Sequence, residues 1–339
     1  MNSKRMLFIS LLALLALVLA GCGGQAGETG ETGSAGPAGP EGPAGPAGAA
    51  PAAADISCTE CHNETTLITG KKAAWEQSLH GSGEAAEYAG SRASCTGCHS
   101  GGAFVKMVEA GLLPTEVEEG DPNATHQDCR TCHEIHTSYT SEDWALTTDA
   151  PVTLFAFEDT IYDGGEGNLC GTCHQPRRQI ADADADGNIE VTSTHWGPHH
   201  GPQTAVLLGI GGAGEVEGSP SAHATMVEDT CVSCHVGEAD NHNFEPQIAS
   251  CQGCHSGIED FDVNGLQTEV EGLLSEVEEA LVAKGMWDEE GHPVVGIYPA
   301  AEAQALWNYI MLSVEDASSG VHNPAYTKAL LEASLEALK

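Results

Sequence analysis

Cys231-Val-Ser-Cys234-His235, followed closely by Cys251-Gln-Gly-Cys254-His255, is the stretch on which the reading of this chain turns. The same frame occurs upstream as Cys58-Thr-Glu-Cys61-His62, Cys95-Thr-Gly-Cys98-His99, Cys129-Arg-Thr-Cys132-His133 and Cys170-Gly-Thr-Cys173-His174. Six frames consume twelve of the 13 cysteines in 339 residues, and only Cys22 stands apart. Two cysteines at this spacing can hold the two vinyl edges of one porphyrin as thioethers. The adjacent histidine then meets the iron from the proximal side. The expected cofactors are therefore six c-type haems.

Other uses of paired cysteines fit less well. A structural zinc site takes two such pairs per metal and needs no fixed trailing histidine. Structural disulfides leave the histidine unexplained, and a Cys-x-x-Cys redox motif occurs once per domain.

The N-terminus sets the compartment. Lys4 and Arg5 precede an apolar run from Leu7 to Leu19, and Leu19-Ala20-Gly21-Cys22 follows. This resembles a bacterial lipoprotein signal, with residues 1–21 removed and Cys22 lipidated. Gly23 after the cysteine favours the outer membrane or cell surface over retention at the inner membrane, with the periplasm as the remaining location. The lipid is the expected contact with the membrane. Fifty acidic against twelve basic residues give a net charge of −38. No basic patch exists to meet phosphates, so nucleic acid is excluded as a partner.

Residues 22–55 read as a tether. Glycine recurs at every third position from Gly27 to Gly48, with Pro37, Pro40, Pro43 and Pro46 between. A collagen-like triple helix would make the chain a trimer, whereas an extended polyproline-type arm needs no partner. Residues 56–260 hold all six frames at irregular intervals of 37, 34, 41, 61 and 20 residues. Low aromatic content predicts a thin conventional core there, with the porphyrins supplying much of the apolar interior. Helices are expected over Lys71–Leu79 and Gly102–Leu113. In 261–339, Leu266, Val270, Leu273, Leu274, Val277 and Leu281 share one helical face before Gly285. Further helices are expected over Ala300–Val314 and Pro324–Leu338. This tail is expected to pack on the haem domain. The fold class is mainly α with much irregular loop, wrapped around stacked haems.

Sixteen histidines less six proximal ones leave ten: His80, His126, His136, His195, His199, His200, His223, His242, His292 and His322. Beyond the signal segment, only Met107, Met226, Met286 and Met311 could serve as methionine ligands. Numbers alone favour two histidines per iron.

The segments Trp75–His80, Cys132-His133-Glu-Ile-His136, Asn168–Arg177, His195-Trp-Gly-Pro-His199-His200 and His242-Asn-Phe-Glu-Pro resemble bacterial multihaem c-type cytochromes. The tail from Leu306-Trp-Asn-Tyr309 to His322-Asn-Pro324-Ala-Tyr326 is similar to the C-terminal helices of the nitrite reductase and hydroxylamine oxidoreductase superfamily. The resemblance covers most of 56–339. It implies His80, His136, His199, His223, His242 and His322 as the distal set. His126, His195 and His200 are substitutes, and His292 is a bystander. In nitrite reductases one haem sits on Cys-x-x-Cys-Lys, whereas all six frames here end in histidine.

One motif stands apart. Asp182-Ala-Asp184-Ala-Asp186-Gly187 has the spacing of a calcium loop, with Ser193 where a bidentate glutamate belongs. An acidic turn at Asp186-Gly187 is the alternative.

Six-coordinate haems leave no open site, so the expected function is electron relay between haems at the cell envelope or surface. The partners would be other redox proteins or external acceptors such as metal oxides, and a haem-stacked polymer is a variant of the same role. The contrasting expectation is a reductase of the nitrite, hydroxylamine or tetrathionate type with one open haem.

Overall fold

Each Cys-x-x-Cys-His frame needs a turn of helix, because cysteines three apart must share a face with the histidine close behind. That local demand shapes residues 66–260 into short helical pieces separated by loops. The backbone N–H of His133 donates to the Cys129 carbonyl at 2.9 Å, His174 to Cys170 at 2.8 Å and His255 to Cys251 at 2.9 Å. The computed structural model describes residues 66–199, 201–238 and 240–339. The signal segment, Cys22, the Gly-X-Y tether, the first frame (Cys58, Cys61, His62) and His200 lie outside the described residues.

The principal helices are α1 (Thr66–Trp75), α2 (Ala93–His99), α3 (Gly101–Glu109), α4 (Gln203–Leu208), α5 (Thr230–His235), α6 (Leu266–Ala283), α7 (Ala300–Tyr309) and α8 (Pro324–Ala337). Two antiparallel pairs complete the secondary structure. They join β1 (Val152–Thr153) to β2 (Ile161–Tyr162) and β3 (Asn188–Val191) to β4 (Gly296–Pro299). The class is mainly α with much irregular loop, as expected.

Three helix boundaries differ from the periodicity. The first helix ends at Trp75, because Ser78 turns the chain: its N–H and hydroxyl both donate to the Trp75 carbonyl. Ser78 then caps a new helical turn, accepting from the Gly81 N–H. α3 stops at Glu109 because Gly111, at φ +64°, closes the end before Pro114 can. Its N–H reaches the Val108 carbonyl and the Leu112 N–H reaches Met107, the αL closure that glycine makes cheaply. α7 passes at Ile310 into a π-helical turn, Ile310–Asp316, ended by Ala317 at φ +52°.

The aliphatic and aromatic interior is concentrated late in the chain. Val270, Val277 and Leu281 of α6, Leu306 and Trp307 of α7, and Leu330 and Leu331 of α8 are all essentially buried. Trp196 and Trp307 meet edge to face at 5.2 Å. A smaller cluster gathers Val152, Leu154, Tyr162 and Leu207. The tail is also stitched by polar contacts to residues 196–224. Asn323, the cap of α8, donates to the Val206 and Ser219 carbonyls, Trp307 Nε1 to Gly211, and Gly212 N–H to the Tyr326 hydroxyl.

Candidate haem-binding sites

Each proximal histidine in the described residues faces one other imidazole, brought from far away in sequence. Ring centroids are 6.4 Å apart for His99 and His199, 6.3 Å for His133 and His242, and 6.0 Å for His174 and His80. The remaining separations are 6.4 Å for His235 and His322 and 6.2 Å for His255 and His223. Two imidazoles bound through nitrogen to opposite sides of one metal, at ~2.0–2.1 Å each, have ring centres about 6.4 Å apart. The residues therefore fit a bis-histidine iron. His136 lies elsewhere, stacked on Tyr139 at 5.5 Å.

The second ring nitrogen of most of these histidines is held. His133 Nδ1 bonds the Trp144 carbonyl at 2.8 Å, His235 the Phe244 carbonyl at 2.8 Å, and His223 the Val321 carbonyl at 2.7 Å. His174 meets Gln203 Oε1 at 3.3 Å. His242 bonds the Asp240 carbonyl at 2.9 Å, while the Asp240 carboxylate lies farther off and pairs with Lys71. Such partners set tautomer and ring orientation. His322 differs: its Nδ1 meets Asp316 Oδ1 at 2.7 Å, and that carboxylate is almost fully buried. Burial alone would lower His322, but the charge and hydrogen bond of Asp316 outweigh it and leave the imidazole raised. His80 shows the opposite balance. Burial, then the neighbouring His174, push it down to about 4, so it is a neutral nitrogen donor at neutral pH.

Two of the six histidines singled out from the resemblance stand at positive φ, His136 at +67° and His199 at +86°. Both are braced by a carboxylate. The His136 N–H donates to Asp143 Oδ2 at 2.8 Å, and Asp143 also accepts from Ser138 and Tyr139. The His199 N–H donates to Glu315 Oε1 at 3.0 Å, so the tail fixes this segment. Strained backbone of this kind persists only where the surroundings over-determine it.

The cysteines of different frames also meet. The sulfurs stand where thioethers would be in the haem-loaded chain. Cys98 lies beside Cys173, and Cys170 beside Cys231. Phe244 lies edge-on to His80 at 4.9 Å and 6.1 Å from His242. The fourth frame thus adjoins the second, third and fifth. Met107, Met286 and Met311 are buried among other side chains, and Met226 is exposed.

The Asp182–Gly187 stretch makes a turn into β3. Asp184 Oδ1 accepts from the Asp186 and Asn188 N–H groups, Gly187 takes φ +82°, and the chain enters β3. Among the described residues, Asp288, Glu290 and His292 bring three metal-type donors together. Asp143, Phe244 and Asp316 were not foreseen. The signal available for Asp316 was an acidic residue six positions before a tail histidine.

Residues 48–134 match the family of cytochrome c7 and related cytochrome c. A solved structure, the outer cell wall cytochrome OcwA, matches with a TM-score of 0.53 at 23% identity, over 79% of this chain and 50% of that one. The fold is that of a multihaem cytochrome c. The chain spans half the length of the solved structure, and the family matched over 48–134 implies c-type haem as its cofactor. A comparison with characterised proteins gives no match. No described helix is long and apolar enough to cross a membrane.

Proposed function

We propose that this chain is an electron relay of six c-type haems, anchored outside the cytoplasm at the cell envelope or surface. The observation that carries the reading is that all five described proximal histidines face a second imidazole at 6.0–6.4 Å. When bound, each haem supplies an iron that cycles between ferric and ferrous without changing ligands.

The chain's own residues do the positioning. The cysteine pairs anchor, and His80, His199, His223, His242 and His322 close the distal sides. His136 is our assignment for the haem at Cys58, Cys61 and His62, since the rest of the distal set is taken; His126 is the rival. The proximity of Cys98 to Cys173 and of Cys170 to Cys231 supports a contiguous array in which the haem of Cys170 and Cys173 is the junction. Lipid on Cys22 and the Gly-X-Y arm would present this array to redox proteins or external acceptors. The likeness to an outer cell wall cytochrome supports that location. An open-haem reductase needs an iron with no imidazole opposite, and none of the five described frames offers one.

The test is stopped-flow reoxidation of the fully reduced protein. A relay gives its electrons rapidly to soluble ferric chelates and shows no sustained turnover of nitrite, hydroxylamine or tetrathionate. Steady turnover of any of these three would replace the relay with a reductase.

A further inference from the structure

Two histidines left over from the haem set face each other. His195 and His292, nearly a hundred residues apart in sequence, have ring centroids 6.4 Å apart with planes at 81°. This is the spacing of the His99–His199 and His235–His322 pairs. Neither residue belongs to a Cys-x-x-Cys-His frame, so no thioether edge holds a porphyrin between them. The donors beside His292 are instead carboxylates. Asp288, Glu290 and His292 each offer a ligand atom, all within 4.8 Å of one another.

We propose that Asp288, Glu290 and His292, joined by the exposed ring of His195 turning in toward them, form a site for a divalent transition-metal ion of tetragonal preference, Cu(II) foremost and Ni(II) next. Two imidazoles with centres this far apart can hold a single ion between them, at ~2.0–2.1 Å from each nitrogen, once their nitrogens turn toward it. Two nitrogens across the ion with carboxylate oxygens at its side make the N,O set that Cu(II) and Ni(II) favour, and Cu(II) binds such sets most tightly.

Both sides of the site are anchored. The loop bearing Asp288 and His292 is closed by the Trp287–Pro293 bridge and by the Asp288 N–H to the His292 carbonyl at 3.0 Å. Asp288 Oδ1 accepts from the N–H groups of Glu290 and His292, at 3.0 and 2.9 Å. Trp287 is buried in the tail's apolar cluster, and so is Trp196, the neighbour of His195. The two histidines are thus held against one core, while their rings remain at the surface, His195 exposed and His292 half-buried. A net charge of −38 raises the local concentration of any cation.

The test uses the oxidised, haem-loaded full chain in high salt with excess Mg²⁺, which suppresses loose binding to carboxylates. Equilibrium dialysis against CuCl₂ should give one saturable ion per chain. The Cu(II) EPR signal should show splitting from two imidazole nitrogens, and NiCl₂ should compete. His195→Ala and His292→Ala should each remove one nitrogen from the splitting and weaken binding by about tenfold or more. Haem content and circular dichroism, unchanged in both variants, would show that folding is intact. Absence of a saturable ion would overturn the proposal, as would binding indifferent to both substitutions. Recovery of a seventh, acid-extractable haem lost on His292→Ala would assign the pair to a porphyrin instead.

Discussion

Between Thr66 and Ala150 the buried apolar side chains are Ala86, Ala89, Ala103, Phe104, Met107 and Pro114, and neither hydrophobic cluster reaches back before Val152. From Ile180 onward the chain packs three tryptophans, two tyrosines and a run of buried leucines and valines into one interior. Yet the first region carries two complete haem frames and receives His199 and His242 from downstream, whereas the tail beyond residue 260 carries no frame. Leu79 and Tyr88 stand exposed beside His80 and His99. In one region the apolar surface is arranged for a porphyrin to complete; in the other the side chains complete it themselves. The tail then lends its rigidity, through Glu315 to His199 and through Asp316 to His322.

The sharpest way to break this contrast is to withhold haem. Protein made without haem attachment should lose amide-exchange protection across 66–150, while α6, α7 and α8 remain protected. Equal protection in both regions would erase the distinction. Leu330→Ala, at a fully buried position in α8, should cost about 3 kcal/mol in denaturant titration of the tail, as cavity-forming leucine truncations do. Asp143→Ala should release the loop bearing His136, lowering local exchange stability there by about 2 kcal/mol, because three backbone donors lose a buried carboxylate. The smallest effect tests whether the tail tunes the haem it touches. Asp316→Asn weakens the partner of His322 and should raise one midpoint potential by about 59 mV, a tenfold change in one redox equilibrium, with all haems still low-spin. An unchanged titration would reduce Asp316 to a packing role.

The frames were fully legible, because thioether attachment demands a contiguous pattern. The long tail helix was legible too: Val270, Val277 and Leu281 recur on one face, and Gly285 at φ +68° closes it. The partners of the proximal histidines were not, since they lie 32 to 109 residues away and irregular loops carry no periodicity from which to measure. The resemblance supplied the set of distal histidines without pairing any with a frame. It also left His292 as a bystander, because only the β3–β4 pairing and the turn before β4 reveal what His292 faces. Asp186-Gly187 reads in sequence more as a turn than as a cation loop, and the backbone bonds to Asp184 show the turn.

The measurement that bears most directly on the relay is the low-temperature EPR spectrum of the oxidised mature protein, with a pyridine haemochrome count of haem per chain. Six haems, all low-spin ferric, are the expected result. A high-spin ferric signal amounting to one iron per chain would contradict the account, since one haem would then lack a second imidazole and stand open to substrate.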